Sequence, residues 1–253
     1  MVKEKKIRFY EKSHTYWLGR KKLTSVTTFI KEFFPEFNAR EVARKQAKFP
    51  ANKAAKRGVR YWLKEWKNSA EQGTMVHKML EEASSFSFWN EEPEGLQPKF
   101  LKKAQQGLKY VNKLRNRDKY SLLIPESLIY DEELGLAGQI DLMVIEEVGS
   151  SIVHLFDWKT NKKITSEGYN GRTALEPISE LPDSHLSKYG LQLSFYAYML
   201  ERKGYVIGDL MVVHLHEDHG AIEYPVSYNK SLVERLLKWK NMLPASNAEL
   251  PTK

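Results

Sequence analysis

The 253-residue sequence contains no cysteine. That excludes disulfide staples, thiolate zinc sites and cysteine nucleophiles, so a metal would have to be held by carboxylates, carbonyls and imidazole. The sequence also lacks any apolar run near the roughly 18 residues a membrane helix requires, any internal repeat and any low-complexity tract. Its first residues, Met1-Val2-Lys3-Glu4-Lys5-Lys6, have no apolar signal core. These absences lead us to expect a soluble, cytoplasmic protein with no membrane partner. The 42% of apolar residues suffices for one large domain, or a domain with an appended lobe.

What is abundant is positive charge, and it is unevenly placed. Residues 1–70 carry 19 Lys and Arg against 6 Asp and Glu, leaving 21 against 26 in the remainder, so a front of +13 precedes a body of −5. A basic lobe on a mildly acidic body suits a polyanion grip beside a cation-holding centre, although a merely lysine-rich surface gives the same count. The expected division is residues 1–70, a basic hairpin and helical lobe, and residues 71–253, the chemical core.

Periodicity sets the expected elements. A small β-unit over Ile7 to Leu18 turns at Gly19, and a helix follows from Thr24 or Ser25. Residues 37–48 and 53–67 are predicted helices separated by Phe49-Pro50. In the second, Lys53, Lys56, Arg57, Arg60, Lys64 and Lys67 fall on one face, opposite Ala55, Val59, Trp62, Leu63 and Trp66. Around Gly73 the chain is expected to enter another helix, which turns Val76, Leu80 and Ala83 inward with His77 beside them, and a further one spans 98–116. Strands are expected at 121–130, 136–146 and 151–159. Residues 160–190 show no period and read as a long functional connection, a candidate substrate flap. A helix at 187–202, a hairpin at 209–216 and 221–227, and a helix at 229–242 complete an α/β mixture.

The chemistry centres on the strand ending Phe156-Asp157-Trp158-Lys159, where Asp157 and Lys159 share a face. An acid followed two later by lysine is a weak signal, and Glu4-Lys5-Lys6, Glu65-Trp66-Lys67 and Glu201-Arg202-Lys203 also match it. Only the 157–159 copy ends an apolar strand and has a carboxylate partner, Asp141. A hairpin turning at Gly149 makes the numbers of opposed residues sum to 298, setting Asp141 across from Asp157. Two carboxylates so placed call for a proton or a cation between them. The residues alone fit either a metal pair or an exposed sheet face neutralised by lysine. His77 can offer a nitrogen ligand, with Glu81 one turn later to orient the ring, or can simply be packed. Glu126 on the neighbouring strand, and Gln192 with Tyr196 one turn apart on a helix, admit the same two readings.

Taken in order, Gly73-Thr74-Met75-Val76-His77, Gly138-Gln139-Ile140-Asp141, Asp157-Trp158-Lys159-Thr160 and Gln192-Leu193-Ser194-Phe195-Tyr196 resemble the RecB-type branch of the PD-(D/E)xK nuclease superfamily. The opening His14-Thr15-Tyr16 with Leu23-Thr24-Ser25-Val26-Thr27 is similar to the start of phage-encoded and mitochondrial genome maintenance exonucleases, so the resemblance covers about residues 13 to 200. It implies an α/β fold with a central mixed β-sheet flanked by helices, a restriction-endonuclease-like core, and a bacterial or phage-infected host cell as the setting. It implies Asp141, Asp157, Lys159 and Glu126 as catalytic residues, and His77, Asp141, Asp157 and the Trp158 carbonyl as ligands of Mg2+ or Mn2+. Gln192, Tyr196 and Thr160 would support site or substrate. The implied activity is hydrolysis of DNA, most readily by an exonuclease on single-stranded ends, with Lys53, Arg57, Arg60 and Lys64 gripping the strand. A histidine ligand would let manganese serve at least as well as magnesium. The competing expectations are a structure-specific DNA endonuclease, a non-catalytic DNA-binding recombination accessory protein, and a metal enzyme for small molecules, which the basic front disfavours.

Overall fold

The structure is a computed structural model describing residues 6–86, 88–117 and 120–242; Lys3, Glu4 and Lys5 of the basic front lie outside the described residues. The chain opens with three short antiparallel strands, β1 (Ile7–Tyr10), β2 (Thr15–Leu18) and β3 (Lys21–Ser25). Their alternation turns Phe9, Tyr16, Leu18 and Leu23 inward and leaves Arg8, Tyr10, Trp17 and Lys22 on the outer face. Gly19, at φ +62°, makes the tight β2–β3 turn. The Ser25 hydroxyl then accepts the Thr28 N–H at 3.1 Å and caps α1 (Val26–Lys31).

The helical segment departs from expectation. Its elements are α2 (Ala39–Lys48), α3 (Pro50–Ala54) and α4 (Val59–Phe86). The predicted 53–67 helix is broken at Lys56, whose backbone is left-handed at φ +52°, and at Gly58, the residue before α4. The six basic residues therefore do not share one helix face. Lys53 is on α3, Lys56 and Arg57 are in the link, and Arg60, Lys64 and Lys67 are on α4. Conversely, the break expected before Gly73 does not occur, and α4 runs unbroken for 28 residues, across the position dividing the basic front from the rest. A mid-helix glycine costs roughly 1 kcal/mol against alanine, but Gly73 sits where a Cβ would lie 2.8 Å from the Thr160 hydroxyl. Close packing explains the residue.

After α5 (Pro98–Arg115) the three expected strands follow as β4 (Leu122–Asp131), β5 (Leu136–Ile145) and β6 (Ile152–Lys159). Then come α6 (His185–Glu201), β7 (Val206–His216), β8 (Gly220–Val226) and α7 (Lys230–Trp239). All eight strands form one mixed sheet in the order β1-β2-β3-β5-β6-β7-β8, with β4 pairing β5 beside this path. The β3–β5 and β6–β7 pairs are parallel and the others antiparallel.

Helices cover both faces. Along β6, Val153 and Leu155 join the core beneath α1, α6 and α7, while Phe156 and Trp158 join the one beneath α4 and α5. The same alternation divides Leu210 and Val212 of β7 from Val213 and Leu215. Because α6 is buried almost all round from Leu191 to Leu200, its amphipathic signature is weak although the helix is long.

One feature of the sheet opens the molecule. β4 pairs along one edge of β5 from Leu136 to Ile145. A strand has only two edges, so β3 and β6 must share the other. β3 takes Leu136 and Ala137, and β6 takes Leu142 to Ile145. Residues 138–141 are left between them, and the fold is open at that point.

The expected flap at 160–190 is mostly fixed. Residues 185–190 belong to α6; before them, Ile164, Ala174 and Ile178 are buried in the main core. A bridge joins Thr173 to Pro182, and the Leu175 N–H donates to the Phe33 carbonyl at 2.8 Å. This apolar anchoring corrects the flap reading. Among the described residues, no helix is long and apolar enough to cross a membrane.

Candidate metal centre in the sheet opening

The gap along β5 is the floor of a cleft of about 710 Å³. Its walls come from both layers and from the N-terminal strands: Gly73, Thr74 and His77 of α4, Gln192 and Tyr196 of α6, and His14 and Tyr16 at the start of β2. The expected register is present. The β5–β6 pairs from Leu142↔Phe156 to Ile145↔Val153 all sum to 298. The ladder ends there, one pair short of Asp141 and Asp157. The Trp158 N–H instead donates to the Asp141 carboxylate, Oδ2, at 2.7 Å. On the other side, β4–β5 partners sum to 267 from Leu122↔Ile145 to Asp131↔Leu136, and the one pair missing from that row is Glu126 with Asp141. Glu126 has left-handed backbone, φ +48°, which interrupts the ladder without shifting it. For a non-glycine residue that conformation is costly and is found at functional positions more often than elsewhere.

Three carboxylates on adjacent strands thus converge, with His77 above them. Ligand atoms of His77, Glu126 and Asp141 all lie within 4.8 Å of one another, and His77 Nδ1 is 3.5 Å from Asp141 Oδ1. Asp157 is engaged differently. Lys159 Nζ lies 2.5 Å from its Oδ2, and the Gln192 amide donates to its Oδ1 at 3.2 Å. Lys159 is also held 4.5 Å over the Tyr189 ring.

The electrostatics follow from this packing. Burial pushes the Glu126 carboxyl up to about 8, with Asp141 adding and His77 opposing. Burial likewise raises Asp157 to about 6, against the pull of Lys159. Asp141 goes the other way: burial opposes its ionisation, but His77, Lys159 and the Trp158 N–H outweigh it. Burial also opposes charging of His77 and Lys159, yet the carboxylates raise both. Three carboxylates crowd one lysine and one imidazole here, an arrangement able to hold a divalent cation.

The expected residues divide into two groups. His77, Glu126, Asp141, Asp157, Lys159, Thr160, Gln192 and Tyr196 all line the cleft. So does Trp158, though its ring is buried at 1% exposure. Lys53, Arg57, Arg60 and Lys64 do not. At 1.5 Å per residue, Lys64 and Arg60 stand about 20 and 25 Å from His77 along α4. Glu81 lies at the cleft wall, but the carboxylate facing His77 Nδ1 is that of Asp141.

Two glycines of the quoted motifs have packing explanations. A Cβ at Gly138 would fall 2.3 Å from the buried Tyr196 ring, as one at Gly73 would meet Thr160. Sequence reasoning missed three residues. Tyr189 stacks on Lys159 and its hydroxyl donates to Asn161 at 3.1 Å; its place one turn before Gln192 could have marked it. Lys103 is buried at 6% exposure and donates to the Thr160 carbonyl at 2.7 Å. A lysine in the apolar row of Phe100, Ala104, Gly107 and Val111 was the available signal. Tyr16, its hydroxyl pushed up to about 12 by burial, then by Glu126 and Asp141, stands over the carboxylates.

No family model matches the chain, and no curated protein does. Among solved structures, one titled "Crystal structure of SSO0001" is similar over 58% of this chain and 61% of that one, at 16% identity and a TM-score of 0.29. The chain therefore spans less than two thirds of that relative's length, and a likeness this slight carries no argument about fold or function.

Proposed function

We propose that the protein is a metal-dependent deoxyribonuclease hydrolysing phosphodiester bonds, most readily from single-stranded DNA ends. The observation that carries this reading is the row Glu126, Asp141, Asp157 across three neighbouring strands, with Lys159 and His77 at the same opening. His77, Glu126 and Asp141 fit a divalent ion by their mutual distances and by mixed nitrogen and oxygen donors suited to Mn2+ or Mg2+. Asp157 and the Trp158 carbonyl would complete the shell. When bound, the ion would polarise the phosphoryl oxygen and lower the pKa of a water.

The chain's own residues set the remaining chemistry. The Trp158 N–H fixes one Asp141 oxygen and leaves the other toward His77. The Gln192 amide, itself hydrogen-bonded to the Tyr196 hydroxyl at 3.3 Å, holds Asp157. Lys159, steadied by Tyr189, places an ammonium where negative charge grows on the phosphorane oxygens. Lys103 and His214 hold the carbonyls of Thr160 and Asn161 at 2.7 Å each, and so fix the strand end that bears Lys159.

The test is incubation of end-labelled linear and circular single-stranded DNA with manganese, magnesium or chelator, beside Lys159→Ala. Metal-dependent loss of linear DNA alone, absent in the variant, supports the exonuclease. Cutting of circles favours an endonuclease. No cleavage with any metal overturns the nuclease reading and favours a DNA-binding accessory protein.

A further inference from the structure

The outer face of β1–β3 sets basic and aromatic side chains side by side. The register sets Arg8, Trp17 and Lys22 in one row across the three strands, and Tyr10 beside Thr15 in the next. Tyr10 is 47% exposed. A groove of about 540 Å³ runs over this face, lined by Arg8, Tyr10, Ser13, Thr15, Trp17, Gly19 and Arg20. Among the described residues its lining holds two aromatic rings, two guanidinium groups and two aliphatic hydroxyls, and no carboxylate. Arg8 donates to the Gly19 carbonyl at 3.1 Å, which stations its charge over the groove. The same strands form the cleft wall with their alternate residues: Phe9 and Tyr16 face the cleft where Tyr10 and Trp17 face the groove, and Ser13 of the groove adjoins His14 of the cleft. The two lie on opposite faces of the strands and meet at the turn of residues 11–14.

We propose that this groove binds single-stranded DNA, stacking two bases on Tyr10 and Trp17 and pairing backbone phosphates with Arg8 and Arg20. The inference rests on the proposed action on DNA and deepens it, by assigning the stretch of strand next to the scissile bond to a surface on the opposite side of the β1–β2 wall. Two features favour a single strand over a duplex. Bases offer their faces to rings only when unpaired, and aromatic groups beside separated cations suit a splayed backbone. Among the described residues the groove carries two guanidinium groups and no carboxylate, which favours a positive potential beside a cleft that is acidic.

The test is fluorescence anisotropy of a labelled 20-mer oligothymidylate, in chelator so that no turnover occurs. It compares the wild type, Tyr10→Ala/Trp17→Ala, the ring-preserving Tyr10→Phe/Trp17→Phe, and Arg8→Ala/Arg20→Ala. The side chains lie on the outer face, so circular dichroism should be unchanged. The alanine pair should weaken single-strand binding at least tenfold while leaving duplex binding within about twofold, and the phenylalanine pair should restore it. The arginine pair should lower the slope of log affinity against log salt by about 1.4, roughly 0.7 for each phosphate contact on a single strand. Wild-type affinity in the alanine pair, an equal loss on duplex, or no single-strand binding by the wild type would overturn the proposal. Cleavage assays then separate the two readings. Turnover with wild-type binding in the groove variants sinks only the groove, whereas the expected binding losses with no turnover under any metal sink only the nuclease.

Discussion

The cleft at the β5 opening and the basic helical segment of residues 39–67 are built on opposite principles. In the cleft, polar groups position one another: Asp141 is held by the Trp158 N–H, Asp157 by Gln192, Lys159 by Tyr189, and the strand end by Lys103 and His214. In the helical segment the charges point to solvent from α2, α3 and the first turns of α4, with a left-handed break at Lys56, and its ion pairs, such as Lys45 with Glu41 at 2.7 Å, join exposed side chains. Preorganised groups lose little when they act on developing charge. Exposed lysines give a diffuse attraction that salt erases. The first arrangement suits chemistry, and the second suits capture.

The sharpest way to break this contrast is Lys159→Ala. Turnover should fall by about 10²-fold or more, with little change in DNA affinity measured in chelator; a loss of affinity equal to the loss of rate would put Lys159 among the capture residues. Next come the glycines. Gly138→Ala forces a methyl into the Tyr196 ring and should lower stability by about 1–3 kcal/mol. Gly58→Ala, with nothing within 4 Å, should stay within about 0.5 kcal/mol. Denaturant melts of both variants decide it, and equal effects would mean the cleft is no more tightly packed than the helical segment.

The carboxylate row gives a pH effect of intermediate size. Folding raises Glu126 to about 8 and Asp157 to about 6, above ordinary carboxylate values. A carboxyl raised on folding costs stability once it must ionise, so in chelator the melting temperature should decline as pH rises from about 5 to about 8. Manganese should remove the decline, and Glu126→Gln should flatten it while weakening manganese-induced stabilisation. A flat wild-type profile in chelator would contradict the crowding of charge. The smallest effect belongs to the helical segment. Arg60→Ala/Lys64→Ala should reduce the salt slope of single-strand binding by about 1.4 and raise KM a few-fold with kcat unchanged. A fall in kcat would connect those distant charges to the chemistry.

These two regions also differed in how far their sequence revealed them. The strand pairing at 298 followed from one turn glycine and the period of two, and it located Asp141 against Asp157 to within the final pair of the ladder. Register arithmetic works because a slip of one residue would bury charges and expose apolar groups. It did not reveal that β3 and β6 share an edge of β5, since pairing between strands over a hundred residues apart leaves no local trace. The left-handed backbone of Glu126 was equally silent. In the helical segment, a 100° period counted through Lys56 and Gly58 described a face that does not exist. Nor did spacing distinguish a glycine that precedes a helix, Gly58, from one that lets a helix press against Thr160, Gly73.

That second glycine leaves α4 a single rod of 28 residues, about 42 Å long. Arg60 is near one end and His77 beyond its middle. A stiff rod has few ways to move, and a tilt of about 5° over the 25 Å between them displaces His77 by about 2 Å. On the proposed reading, a DNA strand that tilted the rod from its basic end would shift the imidazole over Asp141, and by thermodynamic reciprocity occupation of the carboxylate row would then change capture of DNA by the same factor.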